Sequence, residues 1–161
     1  LPAEEFAARA LPFVEKALGR PLEPGEPEVF ATVAPLVQER ARRLTEVGAQ
    51  VRFLFSEVEM DPASWQSVMT TAEAPGAVAG ARDALAGLAP WDKESIEGAL
   101  RAMLEARGLS ARKGLQPIRV AVTGSTVSPP LFESLVALGP QRTLERLDAA
   151  PGRLGGGPGL Q

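Results

Sequence analysis

The sequence predicts an all-α fold, a two-lobed α-helical bundle, on three observations. Apolar residues recur at spacings of three and four along most of the chain, which places them on one face of a helix. Gly, Pro, Ser and Asp separate these periodic segments at short intervals, as helix caps and breakers do. The one strand-like run, residues 118–123, has no second run to pair with, so we expect a helix there as well.

The first half is predicted to hold four helices. Residues 3–18 form the first, closed by Gly19 as C-cap. A loop at 20–27 leads to a short helix over 27–34, which Pro35 should end. The segment 36–56 has the most regular apolar stripe and is predicted to be one continuous helix. Asp61-Pro62 then opens a short helix that reaches Met69.

The second half begins after a predicted hinge at 70–76 and contains five further helices. Helices are predicted at 77–88, at 93–107 with Asp92 as N-cap, and at 118–123, which Gly124 ends. A basic turn at 109–117 separates the last two. Ser128-Pro129 marks the start of the next helix, and the final helix covers 141–149. We therefore expect one helical subdomain over 1–70, a second over 71–150, and a disordered Gly/Pro tail over 151–161.

Composition excludes many kinds of active site. The 161 residues contain no histidine and no cysteine, so His-based triads, Cys nucleophiles, zinc or iron–sulfur sites built from His and Cys, and disulfides are all excluded. We expect no catalytic residue and no metal site in this chain. No apolar stretch is long enough to cross a bilayer. The start, which has no Met and opens directly into a helix pattern, suggests a segment of a longer protein.

The charge is unevenly distributed. The whole chain carries −3, but residues 101–124 contain five basic residues against one acidic residue, a local charge of +4. Fourteen of the seventeen basic residues are Arg, whose planar guanidinium suits phosphates and RNA bases. A general Arg-for-Lys bias in the composition explains the same count, so both explanations stay open here.

Individual arginines differ in their local partners. Arg40 and Arg119 have no acidic residue at helical spacing, so each is a candidate for binding an outside acceptor. For Arg40 the ordinary alternative is that its stem covers the core edge and its head is solvated. Arg101 lies between Glu97 and Glu105, which favours a surface ion pair.

Several segments resemble one family. The segments that carry the resemblance are residues 118–124, 128–135, 138–139 and 142–144, Arg40-Ala41-Arg42-Arg43-Leu44 and Arg52-Phe53-Leu54-Phe55. They look like the C-terminal, anticodon-binding end of bacterial glutamyl-tRNA synthetase. The match covers residues 2–149. The resemblance implies an α-helix cage of the class I aminoacyl-tRNA synthetase type, with a helix over 115–123. The family's catalytic domain, with its ATP and magnesium, is not in this chain, so no cofactor is expected here.

The resemblance also implies which residues contact tRNA. Arg40 resembles the arginine that reads the third anticodon base and separates glutamate tRNA from glutamine tRNA. The other implied anticodon contacts are Arg101, Gln116, Arg119, Ser128, Pro129 and Leu131, partly through backbone groups, with Arg43 and Lys113 as candidate phosphate contacts. We expect Arg40 and the arginines of 101–119 to lie on one concave side of the molecule.

The leading hypothesis is therefore tRNA anticodon recognition within a cytoplasmic, monomeric ligase that attaches glutamate to tRNA(Glu) using ATP. Whether tRNA(Gln) is also a partner is left open by the sequence. The rival hypothesis is a helical protein–protein interaction domain in which the basic edge only solvates the surface. Steep weakening of binding with salt would favour RNA, whereas a large exposed apolar patch would favour a protein partner.

Overall fold

The computed structural model describes residues 1–156, and the side chains of residues 1–150. Every regular element in this part of the chain is helical, which confirms the predicted all-α class. The elements are α1 (Ala3–Leu18), α2 (Glu26–Arg40), α3 (Leu44–Val51) with a 3₁₀ turn (Arg52–Leu54), α4 (Pro62–Ser64) with a π turn (Trp65–Met69), α5 (Ala74–Leu85), α6 (Lys93–Ala106), α7 (Ala111–Thr123), α8 (Leu131–Leu138) and α9 (Pro140–Gly156). None of these described helices is long and apolar enough to cross a membrane.

The helices pack in two groups around one continuous apolar core. In the first half α1 packs on α2 and α3, and in the second half α5 packs on α6, α7 and α9. The groups meet where α8 contacts α2 and where α7 and α8 contact the 3₁₀ turn. Buried side chains from both halves belong to the same cluster, among them Phe30, Leu54, Leu85, Ile96 and Leu147. A division into subdomains at residue 70 stays a prediction.

The predicted helix over 36–56 is wrong, because α2 continues through Pro35 and ends at Arg40. Pro35 is exposed, and the buried residues on either side of it hold the helix despite one missing N–H bond. Ala41 is extended, and Glu46 accepts the N–H of Arg42 at 2.9 Å just before α3 begins. The chain can then fold α3 back onto α1, which a single helix could not do.

The contact between α3 and α1 depends on Gly48. A Cβ at this position would lie 2.5 Å from the carbonyl oxygen of Phe13 and 2.7 Å from the Cβ of Ala17. Glycine therefore allows the two backbones to approach more closely than any side chain would permit. The sequence showed Gly48 only as one member of an apolar stripe.

Two more boundaries differ from the prediction. The predicted basic turn at 109–117 is wrong, because Ser110 caps a helix that begins at Ala111; its hydroxyl accepts the N–H of Lys113 at 3.2 Å. The helix expected to begin at Ser128-Pro129 begins instead at Leu131, with no side-chain cap. The hydroxyl of Ser128 is occupied by contacts with Arg119 and Pro129, so it cannot serve as a cap.

The start and end of the second half also shift. α5 begins at Ala74, inside the predicted hinge at 70–76. The predicted tail at 151–161 continues the last helix to Gly156, because extending an anchored helix costs little once its nucleus exists. The rest of that predicted tail, residues 157–161, lies outside the described residues.

Several predicted helix ends are confirmed. Asp61 accepts the N–H of Ser64 at 3.0 Å, and Asp92 accepts the N–H of Ser95 at 2.8 Å, so both are N-caps. Gly19 ends α1 with φ +75°. Residues 118–123 are helical despite their strand propensity, and Gly124 ends α7 with φ +85° and an N–H bond to Val120.

Three arginines hold carbonyl groups at the end of the 3₁₀ turn and just after it. Arg142 donates to the carbonyl of Leu54 at 2.5 Å, and Arg146 donates to that of Ser56 at 2.8 Å. Arg20 donates to the carbonyl of Phe55 at 2.8 Å. Burial, followed by the charge of Arg142, lowers the pKa of Arg146 to about 10. Side chains from α9 thus satisfy backbone acceptors of the first half.

We expect Gly124→Ala to lower the free energy of unfolding by about 3 kcal/mol, because it combines an unfavourable positive φ with a Cβ placed 2.1 Å from the carbonyl oxygen of Glu59. Gly19→Ala is the matched control, since Gly19 has a similar φ but no atom within 4 Å of the added Cβ. The control should lose only about 1 kcal/mol in urea unfolding. Equal losses in the two variants would contradict the close packing at Gly124.

Candidate nucleic-acid interface

The end of α2, the end of α3, the middle of α7 and the 126–128 segment surround one open cavity of about 360 Å³. Four of the predicted contact residues line it, namely Arg40, Gln116, Arg119 and Ser128. Arg40 and Arg119 therefore lie on the same side of the molecule, as expected. The other lining residues are Gln50, Thr126 and Val127. None of these described lining residues is acidic, so the cavity is electropositive within a chain of net charge −3.

Arg119 is half-buried and bound to the wall of the cavity. Its Nη1 donates to the hydroxyl of Ser128 at 2.5 Å and to the carbonyl of Pro129 at 2.8 Å. Burial and, to a smaller extent, the positive charge of Arg40 lower the pKa of Arg119. The guanidinium therefore holds the 128–130 segment against α7 while adding positive charge to the cavity.

Arg40 is exposed and only weakly held. Its one hydrogen bond within the described residues joins Nη1 to the carbonyl of Ser128, at the long distance of 3.3 Å. Because α2 ends at Arg40, its cation lies near the unsatisfied carbonyls of a helix end, which favours positive charge. Most of its donors remain available to an outside acceptor.

Gln116 lies between this cavity and a second one of about 440 Å³. Its Oε1 atom is buried and has no hydrogen-bond partner among the described residues. A buried acceptor without a donor costs free energy, and a ligand can reach it only if the Gln116 side chain turns toward the cavity. Lys113 lines the second cavity, and its Nζ is 4.0 Å from a carboxylate oxygen of Glu73.

The remaining predicted contacts are placed differently. Pro129 and Leu131 are buried, so their side chains are not presented to a ligand. Arg101 does not line this cavity; it donates to Glu97 at 2.8 Å and lies 5.6 Å from the ring centroid of Phe132, and its contact with RNA stays a prediction. Arg43 is exposed on the turn before α3 and has no ion pair within the described residues.

Residues 5–151 match a family model described as an anticodon binding domain. The chain belongs to the anticodon-binding domain family. It is 41% identical over 156 residues to the glutamate–tRNA ligase of Acidothermus cellulolyticus, and 42% identical over 154 residues to that of a Roseiflexus species. The two alignments each cover 93% of this chain but only 31% and 30% of the relatives, so the chain spans about a third of the length of the curated relatives it matches.

Solved structures show the same fold. The glutamate tRNA ligase from Elizabethkingia meningosepticum superimposes with a TM-score of 0.72 at 21% identity, over 92% of this chain and 30% of that one. A glutamate-tRNA synthetase from Elizabethkingia anophelis gives 0.65 at 21% identity, over 90% of this chain and 28% of that one. At this identity the likeness supports the helical fold of the anticodon-binding domain and nothing finer.

The anticodon-binding domain also holds its 124–128 segment from the first half of the chain. Asp61 donates its N–H to the carbonyl of Gly124 at 2.8 Å, and Ser64 accepts the N–H of Thr126 on its hydroxyl at 3.0 Å. Ser64 is buried, and its hydroxyl donates to Asp61 at 2.7 Å. Sequence analysis missed Ser64, because Asp61-Pro62 showed only a helix start and no local pattern indicates its contact with Thr126.

We expect the two cavity arginines to differ in their effect on the stability of the anticodon-binding domain. Arg119→Gln should lower the free energy of unfolding by about 2 kcal/mol, because it removes charged hydrogen bonds to Ser128 and Pro129. Arg40→Gln should change it by no more than about 0.5 kcal/mol, as for other exposed positions. Urea unfolding of both variants measures the difference, and a larger loss for Arg40→Gln would contradict this assignment.

Proposed function

We propose that this domain recognises the anticodon loop of tRNA(Glu), as the C-terminal part of a glutamyl-tRNA synthetase that attaches glutamate to its tRNA using ATP. The observation that carries the proposal is the cavity shared by Arg40 and Arg119, two cations from distant parts of the chain with no acidic residue beside them. The names of the relatives, all glutamate–tRNA ligases, supply the substrate class.

The geometry supports different tasks for the two arginines. Arg119 is already bound to Ser128 and Pro129, so its part is to hold the cavity wall and attract phosphate. Arg40 keeps its guanidinium fork available for bidentate contact with a base edge or an adjacent phosphate. We propose that Arg40 reads the third anticodon base, which distinguishes tRNA(Glu) from tRNA(Gln). If the Gln116 side chain turns toward the cavity, its Oε1, which is now buried without a donor, would accept an N–H of a neighbouring base.

The other expected contacts differ in their roles under this proposal. Lys113 and Arg43 are exposed cations outside the cavity and would add phosphate contacts without base specificity. Leu131 would act through its backbone N–H, since the first N–H groups of α8 carry the partial positive charge of a helix N-terminus. Pro129 has no N–H, and its carbonyl accepts from Arg119, so it would position Arg119 and not donate to the RNA. Arg101 is exposed and donates to Glu97 through Nε, so a contact with RNA would use its other donors.

A protein–protein interaction domain is less well supported. Within the part of the chain that the structure describes, Leu1, Val127 and Val136 are the exposed large apolar side chains, and three such residues are few. A protein interface needs a contiguous apolar patch. The same scarcity supports our proposal that the protein is monomeric. ATP and magnesium would bind in the part of the ligase outside this chain, and we propose a cytoplasmic location and no cofactor for the domain itself.

Arg40→Gln tests the proposal, because it removes the charge and the guanidinium fork but keeps a similar length. We expect tRNA(Glu) to bind about 10-fold more weakly, the scale of one good charged contact, and the preference over tRNA(Gln) to decrease with it. The slope of log affinity against log salt should decrease by about 0.7. Binding of both tRNAs at several salt concentrations measures these effects on one variant.

Arg9→Gln is the control for lost positive charge. Arg9 is an exposed residue of α1 whose guanidinium lies 2.7 Å from Glu5, and it does not line the cavity. Its replacement should leave the affinity and the preference between the tRNAs unchanged. If both variants weakened the two tRNAs equally, the effect would be general electrostatics and not base recognition.

A further inference from the structure

One cavity residue is apolar and conspicuously exposed. Val127 exposes 65% of its surface, and it lines the cavity together with Arg40 and Arg119. Of the other two exposed large apolar side chains in the described region, Leu1 is the first residue of the chain and Val136 is 37% exposed on α8. Only Val127 combines this exposure with a place beside the two cavity arginines.

The exposure of Val127 is imposed by its surroundings. The residue before it, Thr126, donates its N–H to Ser64 at 3.0 Å, and Val127 donates its own N–H to the hydroxyl of Ser125 at 3.0 Å. On its other side, Ser128 is buried and bound to Arg119. The segment is therefore held at both ends, and the β-branched side chain has few rotamers to lose on binding.

An unstacked nucleobase matches this combination of groups. Its face is flat and weakly hydrated, its edge carries hydrogen-bonding groups, and a phosphate follows along the strand. An apolar side chain beside two guanidinium groups can cover the face while the cations meet the edge and the phosphate. An acidic peptide would use the cations but would leave Val127 in water.

We propose that Val127 is a further RNA-contacting residue, whose side chain packs against the face of one unstacked base of the anticodon loop. This inference rests on the proposed function and adds an uncharged contact to it. Apolar contacts release no counterions, so their contribution to affinity should not depend on salt, unlike that of Arg40.

The experiment compares Val127→Ser with Val136→Ser in binding of an RNA hairpin carrying the tRNA(Glu) anticodon loop. Val127→Ser should weaken binding about 3- to 10-fold, the scale of one or two methyl contacts, by the same factor at every salt concentration. Val136→Ser, the same change at an exposed site outside the cavity, should bind as the unchanged protein does. Val127→Leu should retain most of the affinity. Both serine variants should have the same melting temperature as the unchanged protein, since the replaced side chains are exposed.

Hairpins that lack one base at a time identify the contact. The weakening caused by Val127→Ser should disappear on the hairpin lacking the contacted base and persist on the others, because the two changes remove the same interaction. If Val127→Ser bound as tightly as the unchanged protein, or if it weakened binding to every hairpin by the same factor, this inference would be wrong and the proposed function would stand. Failure of the unchanged protein to bind any tRNA(Glu) hairpin would overturn the proposed function and this inference with it.

Discussion

The half-buried guanidinium of Arg119 is the interaction on which the cavity depends. It joins α7 to the segment before α8 through the hydroxyl of Ser128 and the carbonyl of Pro129. Burying a cation without an acidic partner is costly, and the lowered pKa of Arg119 reflects that burial together with the charge of Arg40. The charged hydrogen bonds offset the cost, and the charge itself stays unneutralised. The fold therefore keeps a positive site that an anion stabilises on binding.

Other arginines of the same chain show why residue type alone does not define such a site. Arg20 forms an ion pair with Glu26 at 2.8 Å and donates to the carbonyl of Phe55, and Arg146 donates to the carbonyls of Ser56 and Val122. Each of these guanidinium groups finds its acceptors within the protein and joins two parts of the fold. Within the described residues the guanidinium of Arg40 has one long hydrogen bond and no ion pair, so its remaining donors are available to water or a ligand.

The sequence predicted the helices whose ends carry a local signal. Gly19, Asp92 and Gly124 mark their ends through chemistry within a few residues, and the structure confirms each of them. The break after Arg40 was missed because the apolar stripe continues across it. What sets that break is the packing of Gly48 against α1, a contact between segments distant in sequence.

In the candidate site, too, the sequence predicted the residues that carry a local signal and missed those placed by distant contacts. The lack of local acids marked Arg40 and Arg119 from the residues themselves, whereas Gln116 and Ser128 entered through the family resemblance. The sequence neighbours of Arg101 predicted a surface ion pair, and the structure confirms it with Glu97. Its contact with RNA, which the resemblance implies, stays a prediction. Thr126 and Val127 had no signal, because their place in the cavity is decided by Ser64 and Arg119, which lie in other elements.

The 124–128 segment shows how a loop without regular structure can be held in one conformation. Its first residue, Gly124, accepts the N–H of Asp61, and the carbonyl of Glu59 lies so close that only glycine fits there. Its last residue, Ser128, is held by the guanidinium of Arg119. The ordering entropy of the loop is therefore lost on folding and not on binding. Because the clamps come from α4 and α7, the two halves of the chain must be assembled before the cavity exists. Affinity for a ligand in this cavity is thus coupled to the packing between the halves, even where that ligand touches neither Asp61 nor Ser64.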